Sequence, residues 1–334
     1  MPPFVSLTRA DLGEFGLISR IASEVPAFDG VLTGIGDDAA VTEITPGMKL
    51  LTSTDMLLED VHFRRSWHDA YRLGRKTLAA SLSDIAAMGG IPRWALLSLA
   101  LPGDASLDFI DDFIRGFLAI ASEHTVALIG GDTCSSRVGL TVSVTIMGEQ
   151  YPHLIVRRSG AEPDDDIWVT GTLGDAALAL KGLENGDAVS ENLLNRLLDP
   201  TPRVSAGLAL AEASLVTSMI DISDGVTADF GHSAKQSGVG GRIFIKELPL
   251  SPEFIFHTRH DSAIPHDLAL AGGEDYELCF TAHASHREKV IDCMKKCGVA
   301  ATRIGIVNSL HGVAIVNPDG GSYSLPKDGF THFI

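Results

Sequence analysis

Met219-Ile220-Asp221-Ile222-Ser223-Asp224-Gly225 is an apolar run that stops on spaced acids and a glycine. The apolar residues read as a buried strand, and the Asp/Gly cluster marks where that strand leaves its sheet. Gly34-Ile35-Gly36-Asp37-Asp38, Leu51-Thr52-Ser53-Thr54-Asp55 and Ile129-Gly130-Gly131-Asp132 repeat the grammar. Carboxylates at strand ends ionise and are held by a rigid frame. Several of them brought together repel unless cations stand between them. Mg²⁺, a hard cation with oxygen ligands, is the natural choice and usually accompanies a nucleotide phosphate. The pattern predicts an α/β protein that carries out phosphoryl transfer at its strand ends.

Working outward, 334 residues suffice for two domains. With 45% hydrophobic and 21% charged residues, the chain can bury a large core. A net charge of −17 excludes the positive footprint that nucleic-acid binding requires, and equally an anionic membrane surface. It does not exclude phosphate substrates if metal ions supply local positive charge. The start, Met1-Pro2-Pro3-Phe4, has no secretory pattern, and the apolar stretch Trp94–Leu101 is too short to span a bilayer. The expectation is a cytoplasmic protein. Cys134, Cys279, Cys293 and Cys297 lack a zinc or redox spacing and read as reduced thiols.

Leu12–Glu24 reads as an amphipathic helix with Phe15, Ile18 and Ile21 on one face. Lys49–Thr54 reads as a strand, and Tyr71–Met88 as a helix stopped by Gly89-Gly90. Thr77, Ser81 and Asp84 form a polar stripe on that helix, equally a solvated face on spacing alone. Strand Trp94–Leu101, helix Leu107–Ser122, and strands Ala127–Ile129 and Leu140–Met147 follow. The pattern loosens after Gly148, so a boundary is expected there, dividing 1–150 from 151–334. Later come strands at Ile167–Thr170, Arg242–Ile245, Ile304–Val307 and Val313–Val316, and a helix over His286–Cys297. The mixed order suggests two α/β layers.

Familiar nucleotide loops are missing: no Gly-x4-Gly-Lys-Ser/Thr, no His-Arg-Asp, and no Gly-x-Gly-x-x-Gly opening a helix after the first strand. Acids abound, while a basic catalyst is not evident. That suits an acceptor already anionic: a phosphate monoester, with a second pKa near ~6, needs no general base at neutral pH. In the second half, Gly272-Gly273-Glu274-Asp275-Tyr276-Glu277 is compactly acidic between apolar flanks. It reads either as a contact for a cationic ligand or as a turn with solvated carboxylates. A lone His62 after Glu59-Asp60 is more often structural.

At these residues the chain resembles the thiamine-monophosphate kinase family. That family belongs to the ATP-binding superfamily that also holds aminoimidazole ribonucleotide synthetase, selenophosphate synthetase and a hydrogenase-maturation protein. The blocks are GIGDDAA (34–40), STDMLLEDVHF (53–63), LAASLSDIAAMG (78–89), LIGGDT (128–133), GTLGDAA (171–177), IDISDG (220–225), GGEDYELCFT (272–281) and GFTHF (329–333). They cover nearly the whole chain. The resemblance implies an aminoimidazole-ribonucleotide-synthetase-like α/β fold of two domains. The first, 1–150, binds ATP and Mg²⁺ and dimerises through its sheet; the second, 151–334, closes the site. It implies direct phosphorylation of thiamine monophosphate by ATP to thiamine diphosphate, the last step of that cofactor's synthesis. By matched position, Asp38, Ser53, Thr54, Asp55, Asp84, Asp132, Asp221 and Asp224 hold Mg²⁺ ions. Gly131, Asp132, Arg158 and Ser223 contact ATP; His62, Glu274 and Phe330 contact thiamine monophosphate. Two departures stand out: Cys134-Ser135-Ser136 replaces the Thr-Arg-Gly of many relatives, and no reactive Cys with a nearby Lys precedes Gly34, as the selenophosphate branch requires. The alternatives are another ATP-dependent synthetase of the superfamily, or a non-catalytic nucleotide-binding homologue.

Overall fold

A computed structural model describes residues 9–259 and 265–331. These fall into two compact units, one within Met1–Leu82 and Pro92–Glu149, the other within Ser83–Ile91 and Gln150–Ile334. The fold is mixed α/β. No helix among the described residues is long and apolar enough to cross a membrane.

The first unit is built from α1 (Arg9–Glu24), β1 (Val31–Thr33), β2 (Val41–Thr42), β3 (Lys49–Leu58), most of α2 (Ala70–Ala87, whose residues from Ser83 on group with the second unit), β4 (Ile91–Leu101), α3 (Leu107–Glu123), β5 (Ala127–Ser135) and β6 (Thr141–Gln150). Its main sheet has the order β3-β6-β4-β5. β4 and β5 run parallel, from Trp94 beside Ala127 to Leu101 beside Ser135. β4 is packed on both faces: Leu97, Leu99 and Leu101 are buried on one, and Trp94 is buried on the other with Ala127 and Ile129. α3 starts at Ser106, whose hydroxyl accepts the Phe109 N–H at 3.1 Å, and buries Ile110, Phe113, Ile114, Phe117 and Ile120. α2 and α3 cross where both carry glycine. A Cβ on Gly74 would lie 2.0 Å from the Phe113 carbonyl oxygen, and one on Gly116 would lie 1.9 Å from that of Tyr71.

Three local expectations fail here. α1 is interrupted at Gly13 (φ 64°, ψ −177°), which resets its period: Leu17 is buried and Phe15 is 81% exposed, not core-facing. β3 continues past Asp55 to Leu58, and β5 continues through Gly130-Gly131-Asp132 to Ser135. In both cases the neighbouring strand keeps supplying partners beyond the Asp/Gly signal.

The second unit holds β7 (Asp166–Thr170), α4 (Asp175–Asn185), α5 (Glu191–Leu198), α6 (Val204–Glu212), β8 (Ser218–Asp221), α7 (Val226–Ser237), β9 (Gly240–Phe244), α8 (Pro252–Thr258), α9 (His266–Ala271), β10 (Leu278–Ala282), α10 (Arg287–Lys296), β11 (Ala301–Asn308), β12 (Gly312–Val316) and β13 (Ser322–Tyr323). Its sheet order is β13-β12-β9-β11-β7-β10-β8. All pairings are antiparallel except β12 with β9. β7 and β10 are buried along their whole length, so the sheet is covered on both faces there. Ile167, Val169, Phe230, Ile243, Cys279 and Ile304 belong to the central cluster. All four cysteines are free thiols, and burial pushes the Cys279 thiol up.

Candidate active site

In the second unit three sequence blocks far apart in the chain meet on one turn. β8 ends at Asp221, which pairs with Leu278 of β10, so Ser223 no longer belongs to the strand. The chain turns through Ser223, Asp224 and Gly225 (φ 122°) into α7. The N–H groups of all three donate to Asp229 Oδ2 at 3.1, 3.0 and 3.1 Å. Asp229, on the first turn of α7, thus holds the turn from behind; burial pushes its carboxyl up to about 7, against those three bonds. The second block docks through Glu274 N–H to Ser223 O and Tyr276 N–H to Ile222 O, each at 2.8 Å. The third docks through Phe330 N–H to Asp224 O at 3.0 Å. Gly329 permits it, since a Cβ there would lie 2.8 Å from that same oxygen. Asp221, Ser223, Asp224, Glu274 and Phe330 are therefore neighbours. Arg158 is exposed on the segment beside β8, where Met219 N–H donates to Arg157 O. The end of the GFTHF block, residues 332–333, lies outside the described residues.

In the first unit, strand alternation puts Ser53 and Asp55 on one face of β3 and Thr54 on the other. Thr54 donates its hydroxyl to Val144 O of β6 at 3.1 Å, and Thr145 lies 3.2 Å from it. Asp55 Oδ2 accepts the Ser81 hydroxyl of α2 at 2.6 Å. Ser81 and Thr77 are fully buried, so the polar stripe of α2 is no solvated face; Asp84 lies just under one turn beyond Ser81. Gly131 and Asp132 lie on the exposed part of β5. Gly131 has φ 155°, and a Cβ there would lie 1.7 Å from Leu97 O. Asp38 is exposed in the turn after Gly36. His62 closes a tight turn after β3: its Nδ1 accepts the Leu58 N–H at 3.0 Å, so Nε2 carries the proton of the neutral ring. Arg65 Nε donates to Glu59 in the same turn.

The acidic stretch 272–277 matches neither of its sequence readings as a whole. Asp275 and Glu277 are buried, not solvated, and Glu277 finds its cations inside the protein, in Arg196 and Arg203. Glu274 is left partly exposed. Neither those arginines nor Asp229 was singled out in the sequence; only the Asp in the first turn after the Asp-Gly stop carried a signal, as a helix-start acid.

The donor set for a cation is all oxygen, the chemistry Mg²⁺ requires. Among the described residues, no three His, Cys, Asp or Glu side chains already surround one point. Mg²⁺ is ordinarily held by one or two carboxylates with substrate phosphates and water, not by an all-protein cage, so separate carboxylates fit it.

The two units match, in order, the AIR synthase related protein N-terminal domain over residues 36–150 and the C-terminal domain over 162–316, which defines an enzyme class built on this pair. Thiamine-monophosphate kinase of Salmonella typhimurium is 38% identical over 328 residues, spanning 96% of this chain and 98% of that one. The structure of thiamine-monophosphate kinase from Stenotrophomonas maltophilia superposes with a TM-score of 0.81 at 40% identity, covering 92% of this chain and 96% of that one. AaThiL complexed with AMPPCP and TMP gives 0.76 at 32% identity, over 98% and 100%. The chain belongs to the thiamine-monophosphate kinase family.

Proposed function

We propose that this chain transfers the γ-phosphoryl group of ATP directly to the phosphate of thiamine monophosphate, giving thiamine diphosphate. The observation that carries this reading is the Asp221–Gly225 turn, which gathers two carboxylates, a hydroxyl, Glu274 and Phe330. The related AaThiL, solved with AMPPCP and TMP, supports both substrates. Asp38, Ser53, Asp55, Asp84, Asp132, Asp221 and Asp224 offer hard oxygens for Mg²⁺. Thr54 belongs to the same assigned set; it lies on the other face of β3, where its hydroxyl proton goes to Val144 O of β6 and its oxygen keeps lone pairs. Bound Mg²⁺ would neutralise the two phosphates and favour their in-line approach. Gly131, Asp132, Arg158 and Ser223 are assigned to ATP. Glu274, Phe330 and the Nε2–H edge of His62 are assigned to the acceptor, whose thiazolium is a fixed cation suited to a carboxylate and an aromatic face. The acceptor phosphate is already an anion, so no side chain is assigned as general base. The protein is read as a cytoplasmic homodimer.

The test is product analysis with ATP and thiamine monophosphate, with and without Mg²⁺. Thiamine diphosphate should form only when all three are present. Asp224→Asn should keep its fold and lose roughly 10²–10³-fold in kcat, the usual cost of removing one preorganised electrostatic contact. Turnover in excess chelator, ATP hydrolysis indifferent to thiamine monophosphate, or a fully active Asp224→Asn would overturn the proposal.

A further inference from the structure

The loop 272–277 is held from inside by a charge cluster centred on Glu277. Glu277 is fully buried and both of its oxygens are saturated. Arg203 grips it as a fork, Nε to Oε2 at 2.6 Å and Nη2 to Oε1 at 2.5 Å. Arg196 Nη2 adds a bond to Oε1 at 2.9 Å, and the Thr170 hydroxyl donates to Oε2 at 2.6 Å. Thr170 also accepts the Leu278 N–H at 2.8 Å, which ties the carboxylate to β7 and to the first residue of β10. Space for it exists because residue 171 is glycine; a Cβ there would lie 2.1 Å from Oε1. One residue earlier but one, Asp275 accepts the Gly174 N–H at the start of α4.

These anchors alternate with two strained residues, one just before Asp275 and one between Asp275 and Glu277. Glu274 (φ 68°) and Tyr276 (φ 49°) both have left-handed backbones without being glycine. Such conformations cost free energy and persist only where the surroundings over-determine them. A buried ion cluster is also a poor source of net stability, since desolvation offsets most of the attraction. What a forked, fully satisfied carboxylate supplies is fixed geometry. Of the loop's three acids, the two that flank Tyr276 are internal anchors and Glu274 alone is partly exposed.

We propose that the Arg196–Glu277–Arg203 cluster is a positioning device: it holds the strained loop so that Glu274 is preset for the organic cation of the acceptor. The substrate half rests on the function proposed above. The Asp221–Gly225 turn has its own support in Asp229, so loosening the cluster should disturb Glu274 far more than the residues assigned to ATP.

The test uses the full chain with Arg203→Lys, which keeps the charge but loses the fork, and Thr170→Val, which keeps shape and charge balance should the first variant not fold. Amide hydrogen exchange across 272–277 should rise roughly 5- to 30-fold, the loss of one charge-assisted bond, while exchange in α3 and β4 stays put. KM for thiamine monophosphate should rise severalfold while KM for ATP stays within about twofold. Unchanged exchange in the loop overturns the proposal. So does a protein-wide rise with a large melting drop in both variants, or a loosened loop with both KM values unchanged. If the wild-type protein does not phosphorylate thiamine monophosphate, the function reading fails by itself, and the exchange measurement still decides whether the cluster holds the loop.

Discussion

Asp166 opens β7 with its side chain wholly buried, between Arg287, which forks onto it at 2.5 and 2.8 Å, and Arg303. Burial alone would raise this carboxyl, but the two guanidiniums outweigh it and hold it below the usual carboxylate range. A depressed carboxylate contributes stability that is present above its unfolded pKa of about 4 and is lost as pH falls through the folded value. Asp166→Asn should therefore cost about 2–3 kcal/mol at neutral pH, less than a closed-off pair because Arg287 is half exposed. That cost should shrink between neutral and strongly acid pH, as the wild-type carboxyl takes up its proton on falling through the folded value. Urea unfolding at both pH values checks it; an equal loss at both would contradict the linkage. At the turn end of the same unit, Glu274→Gln and Phe330→Ala should raise KM for thiamine monophosphate more than KM for ATP. For Phe330, half exposed with its backbone pinned to Asp224, a lost cation–π contact implies roughly a 2- to 30-fold effect. Steady-state kinetics with a melting curve on each variant decides it. Equal shifts in both KM values would mean a structural role.

Among elements, the crossing of α2 and α3 sets two effects of opposite sign against each other. Gly116→Ala improves helix propensity by about 1 kcal/mol. The new Cβ would fall 1.9 Å from a backbone carbonyl oxygen, which has no flexible end to give way, so the helices must part. Overpacking of this kind costs about 1–3 kcal/mol even where side chains can move. The steric term should win, and Gly116→Ala should lower stability by about 2 kcal/mol or more in urea unfolding. A more stable variant would show that the helices separate freely.

For the whole molecule, a net charge of −17 opposes two phosphate-bearing substrates, so turnover is expected to need divalent cations and to stop in excess chelator. The edge strand β3 bears on assembly. It leaves Leu50 and Met56 exposed at 45% and 57%, and among the described residues only β6 pairs with it, so another strand can extend the sheet there. Light scattering at micromolar protein should give twice the chain mass, and Met56→Glu should reduce it to the monomer. A wild-type monomer would remove β3 as an assembly surface.

The chain by itself determined those elements whose local period is strong: α2 with its Gly89-Gly90 stop, α3 with its apolar face, and the core of β4. It also carried the motif blocks, and with them the family. A helical period and a glycine stop are encoded within a few positions, so for these elements a local pattern suffices. Only the tertiary structure decided where β3 and β5 end, because a strand lasts as long as its neighbours offer partners: Asp132 still pairs with Ser98, and Gly131 fits against Leu97. It alone turned Thr77 and Ser81 into buried residues and sent Thr54 to β6. It alone gave Glu277 its partners, since Arg196 and Arg203 lie 81 and 74 residues away in sequence. Ion pairs and buried hydroxyls depend on what packing brings from elsewhere, and no spacing within the loop records it.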